Sequence, residues 1–252
     1  MIVIPMAGLS SRFTEAGYDV PKYMLPLHGR TVFDYAVQSF ADFFETTPFL
    51  FICRDVLGTA DFVQERLNDL GVTNAQVELL TAPTQGQAET VSLGLERAGT
   101  PGDTPITIFN IDSFRPGFHM SPAEYDCDGF LEAFIGEGDG WSFVVPSGPD
   151  PLAPHGYAKH VVEKDRQSDL CSTGLYYFRK YDQFRAAYAA EQATPSQVLN
   201  EHYIAPLYNQ LIRRNKTVAY RVVQNDDVIF CGVPAEYEAL QQPNPRLRQM
   251  FS

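Results

Sequence analysis

The chain has 252 residues, 44% of them hydrophobic and 20% charged, enough to bury a full core within one large α/β domain. Its formal charge of −12 at pH 7 comes with no Lys/Arg-rich run, which argues against a nucleic-acid partner or an anionic membrane surface. The four cysteines, Cys53, Cys127, Cys171 and Cys231, have no CxxC spacing and suit a reducing cytoplasm, where buried Cys behaves as a small hydrophobe.

Residues 1–26 read MIVIPMAGLSSRFTEAGYDVPKYMLP. The apolar run 1–5 predicts a buried strand, and Ala7, Gly8, Ser10 and Ser11 then let the backbone approach a ligand closely. Arg12 and Lys22, the latter placed by rigid Pro21, supply positive charge where phosphates would lie. The spacing is neither a Walker A nor a dinucleotide GxGxxG. The opening run is only a strand long and no basic segment precedes it, so a secretory signal peptide is not expected. No later stretch has the length of a membrane span.

Further apolar, β-branched runs at 49–53, 76–80, 106–111, 141–146, 170–178, 218–223 and 228–233 predict strands, with helical periodicity over 32–44, 60–70 and 88–97. Strand and helix alternate in the first half, the pattern of a mostly parallel sheet covered on both faces. The second half is less regular, with helices expected over 122–134, 182–190 and 199–214. Gly/Pro/Asp clusters at 100–105, 136–140 and 146–154 read as surface loops, and 146–156 as a candidate flap. Asp112 falls just beyond the strand at 106–111, at the sheet edge where open α/β proteins bind ligands. No internal repeat is present, and no hexapeptide repeat announces a fused β-helix.

GLSSRF followed by PKYMLPLHGRTVFDYAV resembles the signature GxGxRL…PKxLxPxxGxPxL of the sugar-phosphate nucleotidylyltransferases. Further matches follow in order: GQAET from Gly86, NIDSF from Asn110, VEK from Val162, STGLYYF from Ser172 and GVPAEYEAL from Gly232. The resemblance implies a single α/β domain, Rossmann-like, with a mixed, mostly parallel sheet flanked by helices. Residues 1–115 would form the nucleotide-binding half and 116–252 the acceptor-binding half. It implies an enzyme that couples an NTP, with CTP or UTP/dTTP favoured, to a phosphorylated sugar or other small phosphorylated acceptor. Pyrophosphate is released, and capsule or surface polysaccharide biosynthesis is the setting.

The same resemblance assigns roles by position. Arg12 holds the β- and γ-phosphates, Lys22 reaches the α-phosphate, and Asp112 is the Mg²⁺ carboxylate. Ala7, Gly8, Ser10 and Ser11 form the phosphate loop, with Ala7 and Ser10 standing where the family has glycines. Gln85, Gly86 and Gln87 are the base-site candidates, although Thr84 there also suits an ordinary helix N-cap. Gly156, Glu163, Lys164, Thr173 and Gly174 fall at the acceptor site. The segment between Gly156 and Glu163 is shorter than the family's hairpin, so Lys159 competes with Lys164.

One departure stands out near the C-terminus. Where the family carries a second metal carboxylate in Asp-x-Gly-Thr, this chain reads Phe230-Cys231-Gly232-Val233, leaving Asp227 or Asp226 as substitutes, or Asp112 alone. Two other readings stay open. One is a glycosyltransferase using Asn110-Ile111-Asp112 as a degenerate DxD, which the cations at 12 and 22 disfavour. The other is a nucleotide-binding relative without catalysis. A homo-oligomer is compatible with the sequence.

Overall fold

The structure is a computed structural model that describes residues 1–197 and 199–251. Nine strands form its main sheet: β1 (Ile2–Met6), β2 (Phe49–Arg54), β3 (Ala75–Leu80), β4 (Ile106–Phe109), β5 (Gly129–Ile135), β6 (Ser142–Pro146), β7 (His155–Glu163), β8 (Leu170–Phe178) and β9 (Val218–Val222). Their order is β3-β2-β1-β4-β8-β5-β9-β7-β6. The pairings β1·β2, β1·β4, β2·β3 and β5·β9 are parallel, and β7 and β8 run against the other seven strands. The sheet is therefore mixed and mostly parallel, and its parallel core lies in the N-terminal half where strand and helix alternate in sequence.

The continuous apolar runs of β1 and β2 follow from burial on both faces. Side chains alternate along a strand, so Ile2, Ile4, Met6, Phe49, Phe51 and Cys53 enter one core while Val3, Leu50 and Ile52 enter the other. Helices α2 (Val32–Gln38) and α3 (Thr59–Leu70) contribute to the first core. The helices α4 (Gln87–Arg97), α6 (Tyr181–Ala193) and α7 (Leu207–Ile212) contribute to the second. Among the described residues no helix is long and apolar enough to cross a membrane.

Several sequence expectations are corrected. The helix expected over 32–44 stops at Gln38 and gives way to a 3₁₀ turn, Ala41–Phe43. Its start is fixed by a capping box: Thr31 Oγ1 accepts from the Asp34 N–H at 3.2 Å, and Asp34 returns the bond to Thr31 N–H at 2.8 Å. The helix expected over 122–134 is a short helix, α5 (Pro122–Asp126), followed by β5. Two features hid that strand. Gly129 leaves room for the Tyr208 ring, which a side chain there would meet at 2.7 Å, and Glu132 is a fully buried charge that breaks the apolar run. The helix expected over 199–214 is only α7, which begins after Pro206, because proline lacks the donor that an earlier start would use. Residues 155–163, partly assigned to a flap, form the long strand β7. The run at 228–233 contributes only Ile229–Phe230, which pairs with Ser113–Phe114 in a separate two-strand ladder.

Candidate active site

The carboxyl ends of β1 and β4 open into a cleft of about 900 Å³, the edge at which open α/β sheets bind ligands. β1 delivers Ala7 and Gly8, and Ser11 starts helix α1 (Ser11–Glu15). Ser10 bridges the two with φ 53° and ψ 30°, a left-handed conformation in which Gly has no steric penalty and Ser does. That geometry accounts for the glycine at this position in related loops. Ser10 Oγ accepts the Lys22 N–H at 3.4 Å, which ties the loop to the second cationic segment. Arg12 and Lys22 both line the cleft.

β4 ends at Phe109, and a turn carries Asp112 into the same cleft. The Lys22 ammonium and the Asp112 carboxylate form an ion pair there, with the side chains 21% and 20% exposed. The Asp112 carbonyl is fixed by the Cys231 N–H at 2.8 Å. Burial first, and then the Asp112 charge, push the Cys231 thiol up to about 12, so this cysteine stays protonated and serves packing. A Cβ on Gly232 would lie 3.1 Å from Asp112 Oδ2 and 3.7 Å from Glu236 Oε2. Glu236 therefore stands near Asp112, but its Oε2 already accepts the N–H groups of Gly232 at 2.7 Å and Val233 at 3.2 Å.

Asp227, a sequence candidate for the second metal carboxylate, lies outside the cleft. It is exposed in a 3₁₀ turn, where its carboxylate accepts the Gln224 N–H at 3.1 Å. Asp226 is equally exposed and faces Arg246 at 3.8 Å. The Asp227 carboxylate closes a polar turn. Phe230 occupies the cleft wall instead, its ring 4.8 Å from that of Trp141 and 4.9 Å from that of Phe134.

Gln85, Gly86 and Gln87 line the cleft at the start of α4. Gln87 Nε2 donates to Asn110 Oδ1, which fixes its side chain. Gln85 remains exposed and available for a ligand. Gly86 has φ 136° and packs on the His202 backbone, where a Cβ would meet nitrogen at 2.6 Å. Two backbone bonds clamp this contact, from His202 N–H to Gln85 O at 2.7 Å and from Ala88 N–H to His202 O at 2.8 Å.

Glu163, Lys164, Thr173 and Gly174 also line the cleft. Glu163 is 5% exposed and accepts a hydrogen bond from Ser142 Oγ. Burial raises its pKa above the ordinary carboxyl value, opposed by the Ser142 bond and the Lys164 charge. Lys164 has φ 53° and reaches the cleft, whereas Lys159 does not line it, which separates the two competing lysines. Gly156 is also outside: it pairs with Tyr220 across β7 and β9, where its missing side chain leaves room for the tyrosine ring at 3.2 Å. Its role here is packing.

Gly174 has φ 88°, and a Cβ there would lie 2.7 Å from Asn110 Cγ. The Gly174→Ala variant is thus expected to push Asn110 off Gln87 and strain the backbone, at a cost of about 2 kcal/mol or more. The check is a thermal melt together with nucleotide binding, both of which should weaken. Sequence reasoning missed Trp141, Ser142, Tyr176, Asn200, Glu201, Tyr203 and Glu236 as cleft residues. Tyr176 and Glu236 lie inside the STGLYYF and GVPAEYEAL matches, which were the available signal, whereas Asn200, Glu201 and Tyr203 lie in no motif.

The cleft and the mixed, mostly parallel sheet place the protein in the Rossmann-like nucleotidyltransferase class of folds. A nucleoside-diphosphate-sugar pyrophosphorylase from Vibrio cholerae RC9 is 47% identical, with a TM-score of 0.90 over 96% of this chain and 100% of that one. The chain belongs to the sugar-phosphate nucleotidylyltransferase family. More distant structures share the fold. The inositol-1-phosphate CTP transferase from T. maritima is 15% identical, with a TM-score of 0.72 over 99% of this chain and 93% of that one. A UDP-glucose pyrophosphorylase complexed with UDP-glucose is 17% identical, with a TM-score of 0.71 over 95% of this chain and 96% of that one. No match was found among protein-family models or curated proteins.

Proposed function

We propose that the protein joins an NTP, a pyrimidine nucleotide by preference, to a phosphorylated sugar or similar small phosphorylated acceptor and releases pyrophosphate. The observation that carries this reading is the convergence of Arg12, Lys22, Asp112 and Lys164 on one cleft, with a polar loop at 85–87 on its wall. An acceptor phosphate oxygen would form the new bond to the α-phosphorus while the bond from that phosphorus to the β-phosphate bridging oxygen breaks. Such a reaction needs positioning and charge neutralisation more than covalent help from the protein. Arg12 suits the terminal phosphates because its planar fork gives two parallel hydrogen bonds. Lys22 would leave Asp112 for the α-phosphate, and Lys164 would hold the acceptor phosphate against the wall formed by Trp141 and Phe230.

Magnesium fits the groups present. It is bound well by one or two carboxylates plus substrate phosphate oxygens, and Asp112, whose carboxylate lies in the cleft beside Lys22, would hold it. When bound, the ion would neutralise charge on the phosphates. The Asp112 carboxylate would then exchange its ammonium partner for the cation. We place the activity in the cytoplasm, supplying activated building blocks for capsule or other surface polysaccharide.

The test is pyrophosphate release measured with four NTPs against a panel of sugar phosphates and other phosphorylated acceptors in the presence of Mg²⁺. Turnover with one pyrimidine NTP and one acceptor is expected. Absence of turnover with every pair, combined with absence of nucleotide binding, would overturn the reading.

A further inference from the structure

Residues 200–204, which lie between α6 and α7, supply Asn200, Glu201 and Tyr203 to the cleft lining. Nothing in the motif pattern marks these residues. Lys164 Nζ donates a hydrogen bond to Tyr203 Oη, and the same ammonium lies 4.7 Å from the centre of the Tyr203 ring. An ammonium only donates, so the tyrosine oxygen receives it through a lone pair. The tyrosine is thereby an acceptor for Lys164.

Lys164 needs such a guide. It stands in a left-handed backbone conformation after β7, on an exposed position, and a free lysine side chain samples many rotamers. An ammonium has three donors; Tyr203 takes one and leaves two for a phosphate. The preceding residue, His202, is bolted through its backbone to Gln85 and Ala88, so the tyrosine rests on the wall of the base-site loop.

We propose that Tyr203 is a positioning residue for nucleotidyl transfer, holding the Lys164 ammonium where the acceptor phosphate docks. This rests on the acceptor-site role given to Lys164 above. His202 contributes by anchoring the segment to Gln85 and Ala88.

The experiment follows the Lys164 side-chain ¹⁵N signal in lysine-labelled protein, assigned with Lys164→Arg, while inorganic phosphate is titrated in. In the wild type the signal shifts saturably. In Tyr203→Phe, which keeps the ring and removes only the hydroxyl, the midpoint should rise by about fivefold, the scale of one hydrogen bond. Thermal melting of this variant stays at the wild-type value. An unchanged or lower midpoint in Tyr203→Phe would overturn the positioning role and leave the acceptor site standing. A wild-type Lys164 signal that ignores phosphate would remove both that role and the acceptor-site assignment of Lys164.

Discussion

Replacing Asp112 by Asn is expected to lower nucleotidyl transfer by about 10³-fold, because an amide removes the charge that would hold a divalent cation against the phosphates, an effect worth several kcal/mol at the transition state. Stability should hardly change. The Lys22–Asp112 pair opens onto the cleft with each side chain about one-fifth exposed, and asparagine keeps an oxygen that accepts from the ammonium. The two effects therefore separate in one set of measurements, pyrophosphate release at saturating NTP and Mg²⁺ beside a thermal melt. The contrast is sharpened by the neighbourhood. Glu236 has one carboxylate oxygen committed to two backbone N–H groups, and Phe230 presents a ring, so neither readily replaces the lost charge. Retention of turnover within tenfold of wild type would show that Asp112 does not carry the metal.

The second large effect is on stability, at a residue that does not itself line the cleft. Glu132 in β5 is fully buried and accepts from Arg115 Nε at 2.9 Å and Nη2 at 3.1 Å, and from Arg221 Nη2 at 2.9 Å. Arg221 also pairs with Glu124 at 3.1 Å. The Glu132→Ala variant would leave the buried Arg115 guanidinium with only the Pro116 carbonyl and take one acceptor from Arg221, and breaking a buried pair in this way costs about 3–5 kcal/mol. For a chain of this size that corresponds to a fall in Tm of about 10 °C. Glu132 does not line the cleft, so activity well below the melting temperature should persist. A Glu132→Leu, Arg115→Met double variant should recover part of the loss, since apolar groups of similar volume often replace a buried ion pair without penalty. A fall of less than 3 °C in Glu132→Ala would show that the guanidinium groups find water or other partners.

The same network explains where sequence reading failed. A charged residue in the middle of residues 129–135 broke the apolar run and shifted the apparent period toward a helix, yet the charge is compensated from Arg115 and Arg221, which lie 17 and 89 residues away. Local pattern cannot register a partner at that separation. The end of α2 is a similar case: Ser39 Oγ accepts the Arg115 N–H at 2.7 Å, a contact made by a distant part of the chain.

What the amino-acid order determined by itself was local and repetitive. The continuous apolar runs of β1 and β2, the helical periodicity of α3 and α4, and the small residues with Arg12 after the first strand all express rules that act within a few residues. The motif order then located fourteen of the cleft's lining residues among the sixteen chosen, Gly156 and Asp227 being the exceptions. Tertiary structure alone decided which carboxylate faces Lys22, that Phe230 rather than Asp227 walls the cleft, that Lys164 rather than Lys159 enters it, and that Tyr203 arrives from a segment without a motif. Those outcomes depend on how strands distant in sequence lie side by side, and the free energy of such long-range packing is not written in any window short enough to read.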